Sequence, residues 1–440
     1  MKLSHTLGAP SAVFDDPNLV SSAGLVPALA LAESAGLRDL VDQRLTVPTD
    51  KGANPGLKVA SLVAGMVAGA DSIDDMALLR HGGMSRIFAR AYAPSTLGSF
   101  LRAFTFGHVR QLDAVSARFL VALAERTRLL GTPASPATSE ADSDADPGVD
   151  LGYALLDVDD TIVEVHGHAK QGAGFGYSGV RGLNALLATL SCAATAPVIV
   201  AQRLRKGACG SPRGAKRLVG DAVKQARRLL GPKARVMVRA DSAFYGRCAV
   251  HAALAGGAAV SVTVRMDKAV KAAISAIADD AWTTGEYTDA VFDEATGRWV
   301  SRAEVAEIGF TAFAARKKSE RVPGRLVVRR IPDFNAEKNK AAGQGTLFDV
   351  WRFHAFFTTA DPGLLDTVAA DKTHRAHAII EQVHADLKGS ALAHLPSGVF
   401  TANAVWLVLA VIAFNLTREP APWRHPSWPR RPARRSGASS

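Results

Sequence analysis

The sequence predicts an α/β protein with a mixed β-sheet, an N-terminal all-α region and a β-rich insertion. Residues 24–130 carry apolar side chains at helical spacing. Residues 154–265 give the order strand, strand, strand, helix, strand, helix, strand. Residues 282–358 are rich in strand formers, and residues 378–387 return to a helical pattern. Three antiparallel strands followed by crossover units form a mixed sheet.

The N-terminal region, residues 1–130, is predicted to be helical after an extended start. Its apolar spacing indicates the following helices: 24–47, 57–70, one that runs through Met76, 95–106 with Ser95 as N-cap, and 109–130. Such a block suits a binding or packing domain, because it carries no pattern typical of a catalytic site.

Two segments are predicted to be linkers or tails. Residues 131–150 are rich in Pro, Ser, Ala and Asp and contain five acids and no base, which indicates a flexible acidic linker. Residues 418–440 are predicted to form a basic, disordered tail with six arginines.

The first strand, residues 154–165, carries three acids in a strongly β-forming stretch: Asp157, Asp159 and Asp160. Three carboxylates within four residues repel one another, and a divalent cation would offset that repulsion because hard cations prefer carboxylate oxygen. Alternation along a strand puts Asp157 and Asp159 on one face and Asp160 on the other. A solvated turn is the alternative interpretation.

The later strands supply further candidate ligands. Residues 172–182 are predicted to form a hairpin turn, since the glycines lack the strand and helix of a dinucleotide loop. The fourth strand, residues 234–240, ends in Asp241. This strand order is that of ribonuclease H-like folds, in which one carboxylate lies on the first strand and another at the end of the fourth. Asp159 and Asp241 occupy those places, and Glu381 lies on the later helix.

The charge balance points to a polyanionic partner. The 440 residues carry a net charge of +11, with 48% hydrophobic and 21% charged residues, as in a globular soluble protein. Residues 203–239 contain twelve Lys or Arg and one acid, Asp221. Because this basic run adjoins a carboxylate site in sequence, it favours nucleic acid.

Other sequence features exclude some classes of protein. The three cysteines form no CxxC pair, which argues against a zinc knuckle or a disulfide framework and fits a reducing cytoplasm. The N-terminus has no apolar signal core. The apolar run 404–414 is too short to span a bilayer and is predicted to be a buried helix, so no membrane partner is expected.

Taken together, these residues resemble DDE transposases of bacterial insertion sequences, most closely the insertion sequence 1380 group. The motifs that carry the resemblance, from about residue 20 to 417, are DSIDDMALLRHGG, STLGSFLRAF, LDVDDT, VRADSAFY and IIEQVHADLKG. The resemblance implies a catalytic domain at residues 151–281 and 359–417, an insertion at 282–358, and DNA binding by residues 1–130.

The resemblance also implies the site residues. Asp159, Asp241 and Glu381 would be both catalytic residues and ligands of two Mg²⁺ ions, for which Mn²⁺ substitutes. The Asp-x-Thr pattern of the family favours Asp159 over its rival Asp157. The family's Tyr-Arg-Glu-Lys signature, set on Glu381, matches at Lys388.

The signature departs from the family at two positions, because His374 stands at the Tyr position and His377 at the Arg position. Arg375 could supply the missing charge. The departure puts phosphate positioning in doubt more than metal binding. It also keeps open a catalytically inactive, transposase-derived DNA-binding protein.

The implied function is cutting and joining of insertion-sequence ends on double-stranded DNA, with terminal inverted repeats and target DNA as partners. A homodimer in the DNA complex and a cytoplasmic, nucleoid-associated location in bacteria are expected. A metal-dependent nuclease is a further alternative, and His377, Glu381 and His384 lie at a spacing that could bind Zn²⁺ on one helix face.

Residues predicted to bind DNA lie in two further places. Arg227 and Arg228 belong to a predicted helix with a basic face, residues 215–230. Trp351, or its neighbour His354, is predicted to support a displaced base, with core packing of Trp351 as the alternative.

Overall fold

The computed structural model describes residues 18–88, 91–127, 129–130, 152–192, 195–293, 298–332 and 351–418. Within those residues the chain forms an N-terminal helical region, one mixed sheet of ten strands, and helices on both faces of the sheet. The predicted linker at 131–150 and the basic tail lie outside the described residues, apart from Arg418 at the start of the tail.

The N-terminal region contains six helices, which end before the sheet begins. They are α1 (Leu25–Ser34), α2 (Leu37–Arg44), α3 (Thr49–Gly52), α4 (Pro55–Val67), α5 (Pro94–Arg102) and α6 (Phe106–Arg126). The single helix predicted at 24–47 is broken because Gly36 adopts φ +72° between α1 and α2. The segment around Met76 is a 3-10 helix, Asp74–Arg80.

The predicted N-cap of α5 is wrong by two residues. Pro94 occupies the first turn, and Ala93 in extended conformation precedes it, so Ser95 lies inside the helix. Proline suits this position because its fixed φ matches a helix and its missing N–H would have no partner there.

The sheet follows the predicted strand order and then continues. Its strands are β1 (Ala154–Glu164), β2 (Gly174–Phe175), β3 (Arg181–Ser191), β4 (Val198–Lys206), β5 (Val236–Ala240), β6 (Ala259–Thr263), β7 (Thr283–Asp293), β8 (Arg298–Ala312), β9 (Val322–Pro332) and β10 (Trp351–Thr358). The spatial order is β2-β3-β1-β5-β6-β10-β9-β8-β7, with β4 paired to β3. β1, β5 and β6 are parallel neighbours, whereas β3, β4 and β10 run antiparallel to the strands they pair with.

The insertion continues the same sheet. β10 pairs with β6 through Phe356 opposite Thr263, and β9, β8 and β7 follow in turn. The β-strands predicted at 282–358 therefore extend the edge of the central sheet beyond β6. The predicted hairpin at 172–182 is present as β2 and the start of β3.

Helices cover the two faces of the sheet. Two of them, α7 (Ala215–Leu230) and α8 (Arg247–Ala255), pack with Val158, Val238 and Val260 on one face. The other face meets α10 (Thr367–Arg375) and α11 (Ile379–Lys388), while α9 (Lys268–Ser275) follows β6. Since side chains alternate along β1, Asp157 and Asp159 lie on the face opposite Val158.

The last described helix, α12 (Phe400–Thr417), ties the two halves of the molecule together. It packs against β4 and against α4, α5 and α6, and residues 402–416 are all buried. The described residues contain one helix with the length and hydropathy of a membrane span, and that helix is α12. Of α12, 83% is buried inside the protein. The buried apolar helix predicted at 404–414 is confirmed and is longer than expected.

Candidate active site at the ends of β1 and β5

Asp159 and Asp241 are neighbours at the ends of two parallel strands. Val158 lies opposite Ala240 in the β1–β5 register, so the next residue of each strand is an aspartate. Adjacent strands are about 4.8 Å apart. The negative charge of Asp241 acts on Asp159. The structure therefore brings these two residues to the same edge of the sheet, and their joint role as ligands stays a prediction.

Burial and charge raise the pKa of Asp159 to about 6. Desolvation is the largest cause, and the carboxylates of Asp241 and Asp160 add to it. The main-chain N–H of Asp160 donates to Asp159 Oδ1 at 2.7 Å and partly opposes the rise. A desolvated carboxylate beside a second carboxylate has a strong electrostatic preference for a bound cation.

Asp241 also closes the turn that follows β5. Its side chain accepts a hydrogen bond from the N–H of Ala243 at 2.9 Å, at the start of the 3-10 turn Ser242–Phe244. The carboxylate is otherwise exposed, so one oxygen orients the side chain and the other faces solvent.

Asp157, the rival of Asp159, is fully occupied by other protein groups. It is 0% exposed, and Arg239 donates to both of its oxygens at 2.7 Å. His377 Nδ1 lies 2.9 Å from the same carboxylate. Because both oxygens of Asp157 have partners, the geometry favours Asp159 as the residue that is left to hold a ligand.

Arg239 and His377 extend this pair into a buried network. Arg239 is 1% exposed and also donates to the main-chain carbonyls of Thr373 and Ala376, at the C-terminal end of α10. We call Asp157, Arg239 and His377, with the carbonyls that Arg239 binds, the buried ion network. It joins β1, β5 and the segment that leads into α11.

The members of the buried ion network lie close in sequence to the predicted catalytic residues. Asp157 precedes Asp159 by two residues, Arg239 precedes Asp241 by two, and His377 precedes Glu381 by four, about one helical turn. The network therefore fixes the three elements that carry those carboxylates relative to one another.

Asp160 lies on the opposite face of β1 and has a structural role. Arg205 Nη2 donates to Asp160 Oδ2 at 2.6 Å, and the amide of Asn184 donates to the same oxygen. Arg205 also donates to the carbonyls of Ser211 and Arg213 at 2.8 Å and 2.6 Å, which ties the loop before α7 to the sheet.

Glu381 is carried by α11, which packs against β1. Its side chain is exposed, and His384, one turn further along the helix, points Nδ1 at Asp159 Oδ2 across 3.8 Å. Within the described residues no three His, Cys, Asp or Glu side chains are grouped closely enough to hold a metal ion. The structure thus brings Asp159 and Asp241 together, and the roles of these two and of Glu381 as metal ligands stay predictions.

The same observation applies to the zinc alternative. His377 is engaged with Asp157, His384 faces Asp159, and Glu381 is exposed. The three side chains do not form a metal-binding group in the described part of the chain.

His384 is a buried imidazole at the edge of the carboxylate pair. Burial, together with the nearby charge of Lys388, lowers its pKa to about 4, so the ring is neutral at pH 7. Its Nε2 is buried and has no hydrogen-bond partner. Lys388, at the end of α11, is exposed, and desolvation lowers its pKa.

The two histidines at the departing signature positions have structural partners. His374 stacks on Phe356 with ring centroids 4.1 Å apart and hydrogen-bonds to Ser261 and Thr263 at 2.8 Å and 2.9 Å. Burial lowers its pKa to about 3. Arg375 is exposed at the end of α10, and its charge acts on His354 and Asp371.

The α7 part of the basic run does not adjoin the carboxylate pair in space, contrary to expectation, although Arg239 of the same run donates to Asp157. Arg227 and Arg228 belong to α7, on the sheet face opposite Asp159. Arg227 donates to the carbonyls of Gly256 and Gly257 at 2.9 Å and 3.0 Å and to that of Pro232. Residues near in sequence are separated here because α7, which connects β4 to β5, packs on the face of the sheet opposite Asp159.

Arg228 is exposed and lines an open groove of about 400 Å³ beside Lys224 and Arg227. Two other members of the run, Arg205 and Arg239, are buried in ion pairs. The prediction that Arg228 contacts phosphates remains one for experiment.

Trp351 begins β10 and contacts Arg330, whose guanidinium carbon lies 4.5 Å from the Trp351 ring and 4.2 Å from the Trp282 ring. Strand alternation puts Trp351 on the face opposite Phe356, and Phe356 stacks on the face that carries His374. His354, on the Phe356 side, is exposed. Base stacking by Trp351 therefore requires DNA to reach the outer part of the sheet.

Sequence reasoning missed Arg239, although a signal was present. An arginine inside the buried strand VMVRA needs an acidic partner, and the strand order had already made β1 its neighbour. The role of His384 beside Asp159 was not predicted, because only its spacing from His377 had been considered.

Comparison with known proteins gives one family. The family model described as transposase DDE domain group 1 matches residues 151–419. No curated protein matches the chain. Among solved structures, the chain is similar to the cryo-EM structure of a piggyBac transposase synaptic complex with hairpin DNA. The sequence identity is 10% and the TM-score is 0.40, and the match covers 92% of this chain and 74% of that chain.

Proposed function

From the membership of this chain in the transposase DDE domain group 1 family, we propose that it is a DNA transposase that cuts and joins insertion-sequence ends by metal-dependent phosphodiester hydrolysis and strand transfer. The observation that carries the proposal is the juxtaposition of Asp159 and Asp241 at the ends of β1 and β5, within the matched residues. The insertion sequence 1380 group is the subgroup that we propose for it.

The residues present suit a divalent cation, which DDE transposases typically use. Asp159 and Asp241 are hard oxygen ligands, and desolvation first, with repulsion from Asp241 and Asp160, raises the pKa of Asp159 to about 6; a bound cation would stabilise its charged form. We propose Glu381 as the third ligand and Mg²⁺ as the metal. Two bound ions would activate a water molecule and stabilise the charge on phosphorus.

The protein groups around this pair would bind and orient DNA. The neutral ring of His384, whose Nδ1 lies 3.8 Å from Asp159 Oδ2, would orient the carboxylate of Asp159. Lys388, about two helical turns beyond Glu381, would neutralise a phosphate. The buried ion network would hold β1, β5 and α11 in register while substrate binds.

The proposed partners are double-stranded DNA with terminal inverted repeats and a target duplex, bound by a homodimer in the bacterial cytoplasm. Arg375, Arg228 and Trp351 are proposed DNA contacts. Support for Trp351 is its partly exposed position at the start of β10, where Arg330, paired with Glu304, packs against its ring.

The proposal is tested with duplexes made from the DNA that flanks the reading frame, called end duplexes below. Asp159→Asn, Asp241→Asn and Glu381→Gln should each abolish Mg²⁺-dependent nicking, while gel-shift affinity in Ca²⁺ changes by less than about threefold. Gln382→Ala is the matched control, since Gln382 is exposed next to Glu381 and bonds only to Asp386 in the described structure.

One outcome would favour an inactive DNA-binding protein instead. Glu381 is exposed, no three potential metal ligands are grouped together among the described residues, and His374 and His377 are engaged in structural contacts. If the wild-type protein binds end duplexes yet nicks none of them in Mg²⁺ or Mn²⁺, the transposase proposal is wrong and the binding function stands.

A further inference from the structure

The tip of the β2–β3 hairpin is an exposed aromatic patch. Tyr177 is fully exposed, Phe175 is 66% exposed and Val180 is 36% exposed. Of the nine large apolar side chains that are exposed in the described part of the chain, three lie in this segment of six residues. Single exposed apolar residues are common on proteins, whereas a cluster of aromatic ones marks a binding site.

The tip is a tight turn that puts Tyr177 at its corner. The N–H of Gly179 donates to the carbonyl of Gly176 at 3.1 Å, so Tyr177 and Ser178 are the two central residues of the turn. Gly179 has φ +69°, a conformation that a side chain would strain. The ring of Tyr177 is thus presented outward by the backbone.

The base of the hairpin is held rigidly. Arg181 donates to the carbonyls of Gly167 and His168 at 2.8 Å and 3.2 Å, and the N–H of Gly207 donates to Gly172 at 2.9 Å. A Cβ on Gly207 would lie 2.0 Å from the carbonyl oxygen of Gly182, so this backbone packing tolerates no side chain. A fixed base lowers the entropic cost of binding through the tip.

A second set of contacts anchors the same hairpin to the start of α12. The N–H of Gln171 donates to the carbonyl of Gly398 at 2.9 Å, and the side chain of Gln171 accepts from the N–H of Phe400 at 3.0 Å. Lys170 also donates to the carbonyl of Leu395. The tip therefore projects from a junction of three elements rather than from a free loop.

The tip is aligned with the carboxylate pair. Gly174 pairs with Gly182, and Gly182 pairs with Glu164, so these three positions share one face of the sheet. Phe175, next to Gly174, and Asp159, five residues before Glu164, both lie on the other face. Asp159 and Glu164 are five residues apart on β1, about 17 Å along the strand. That distance equals about five base pairs of DNA at 3.4 Å each.

The charge around the tip suits nucleic acid. Lys206 lies opposite Leu183 on the same sheet face and is exposed. The nearby acid Glu164 points to the other face, where it lies 3.9 Å from His166. A cation beside exposed aromatic rings is the usual composition of a surface that binds unpaired bases.

We propose that Phe175 and Tyr177 stack on a base of the bound DNA about five nucleotides from the phosphate that is cut. This inference rests on the proposed function for the position of the cut. Stacking is tolerant of sequence because every base has an aromatic face. The hairpin tip thus recognises an unstacked base rather than a particular sequence.

The test uses 2-aminopurine, placed singly at each of ten positions on either side of the cut in an end duplex and, separately, in a duplex of unrelated sequence that represents target DNA. The wild-type protein in Ca²⁺ should change the fluorescence at one or two adjacent positions near the fifth. The duplex that responds identifies whether end or target DNA meets the tip.

The variant Phe175→Ser/Tyr177→Ser should abolish that fluorescence change and weaken binding by about tenfold or more. Its salt dependence should equal that of the wild type, because no phosphate contact is removed, whereas Lys206→Ala should reduce the slope by about one unit. Tyr177→Phe should bind like the wild type. Leu364→Ser, which removes an apolar side chain 38% exposed between β10 and α10, is the control and should have no effect.

Three results would overturn the inference. The first is wild-type DNA affinity in the double variant, and the second is a fluorescence profile in the double variant that equals that of the wild type. The third is loss of a dimer by the double variant at unchanged DNA affinity per protomer, which would assign the tip to a second copy of the chain. The fluorescence measurement in Ca²⁺ does not depend on cleavage. A wild-type protein without nicking activity would therefore contradict the transposase proposal, while base stacking at the hairpin tip could still be measured.

Discussion

Asp159 is held in a charged form that the fold itself disfavours. Its pKa of about 6 in the folded protein lies above its ordinary value of 3.8, so the folded state binds the proton more tightly than the unfolded state. The contribution of Asp159 to the free energy of unfolding therefore falls as pH rises from about 4 to 6 and is lowest above pH 6. The lost stability is at most about 3 kcal/mol, from 1.36 kcal/mol per pKa unit.

Asp159→Asn should raise the free energy of unfolding at pH 8 in EDTA, by about 1–3 kcal/mol, and should leave it unchanged at pH 4. Urea unfolding at pH 4, 6 and 8 measures this. If Asp159→Asn is as stable as the wild type at pH 8, or less stable, the charged form of Asp159 does not destabilise the fold.

The buried ion network predicts strong coupling between two residues. Arg239→Met leaves the carboxylate of Asp157 buried without its ion partner and should destabilise the fold by about 3–5 kcal/mol. Asp157→Leu combined with Arg239→Met should cost less than the two single changes added together, because no unpaired charge remains. Additive costs in urea unfolding would argue against a direct energetic link.

At the scale of the elements, α7 separates two arginines that are adjacent in sequence. Arg227 bonds three carbonyls at the ends of α7 and α8, so Arg227→Ala should lower the free energy of unfolding by about 1–3 kcal/mol. Arg228 is exposed, and Arg228→Ala should change it by less than about 0.5 kcal/mol. Equal effects of the two changes on stability would contradict this division of roles.

The elements show what a sequence can and cannot disclose. The order of β1, β3, β4, β5 and β6 was predictable, because each strand is a short apolar run bounded by turn residues. That order also placed Asp159 beside Asp241. The pairing of β10 with β6 was not predictable, since the two strands are separated by about 90 residues and nothing local specifies the partner.

Side-chain partners were harder to predict than elements. Asp157 and Asp159 have the same residue type on the same strand face, and only the position of Arg239 and His377 distinguishes them. The position of Glu381 relative to the carboxylate pair depends on how α11 packs, which its sequence pattern leaves open.

At the scale of the whole molecule, the side-chain amide of Asn415 adds hydrogen bonds to the packing of α12 against β4. Asn415 accepts from the N–H of Ile199 and donates to the carbonyl of Ile199, both at 2.8 Å, and so acts as a partner of β4. Asn415→Ala would leave both main-chain groups buried and unpaired, and should cost about 2–5 kcal/mol. Thr417→Ala, at the exposed end of the same helix, is the control.

Asn415→Ala should also keep a single unfolding transition, because the N-terminal helices and the sheet share α12. Far-UV circular dichroism and tryptophan fluorescence should give coincident urea curves in both proteins. Separate transitions would show that the N-terminal region folds without α12.

The position of α12 also has a consequence for synthesis. The helices α4, α5 and α6 leave the ribosome first, yet the apolar surface that α12 covers stays open until residue 417 has been made. At about 5–20 residues per second, the interval from the end of α6 to the end of α12 is roughly 15–60 s. During that time the N-terminal helices must avoid aggregation, so a chain that stops early leaves an unprotected surface that chaperones and proteases recognise. Only chains that extend through residue 417 are then expected to accumulate in the cell.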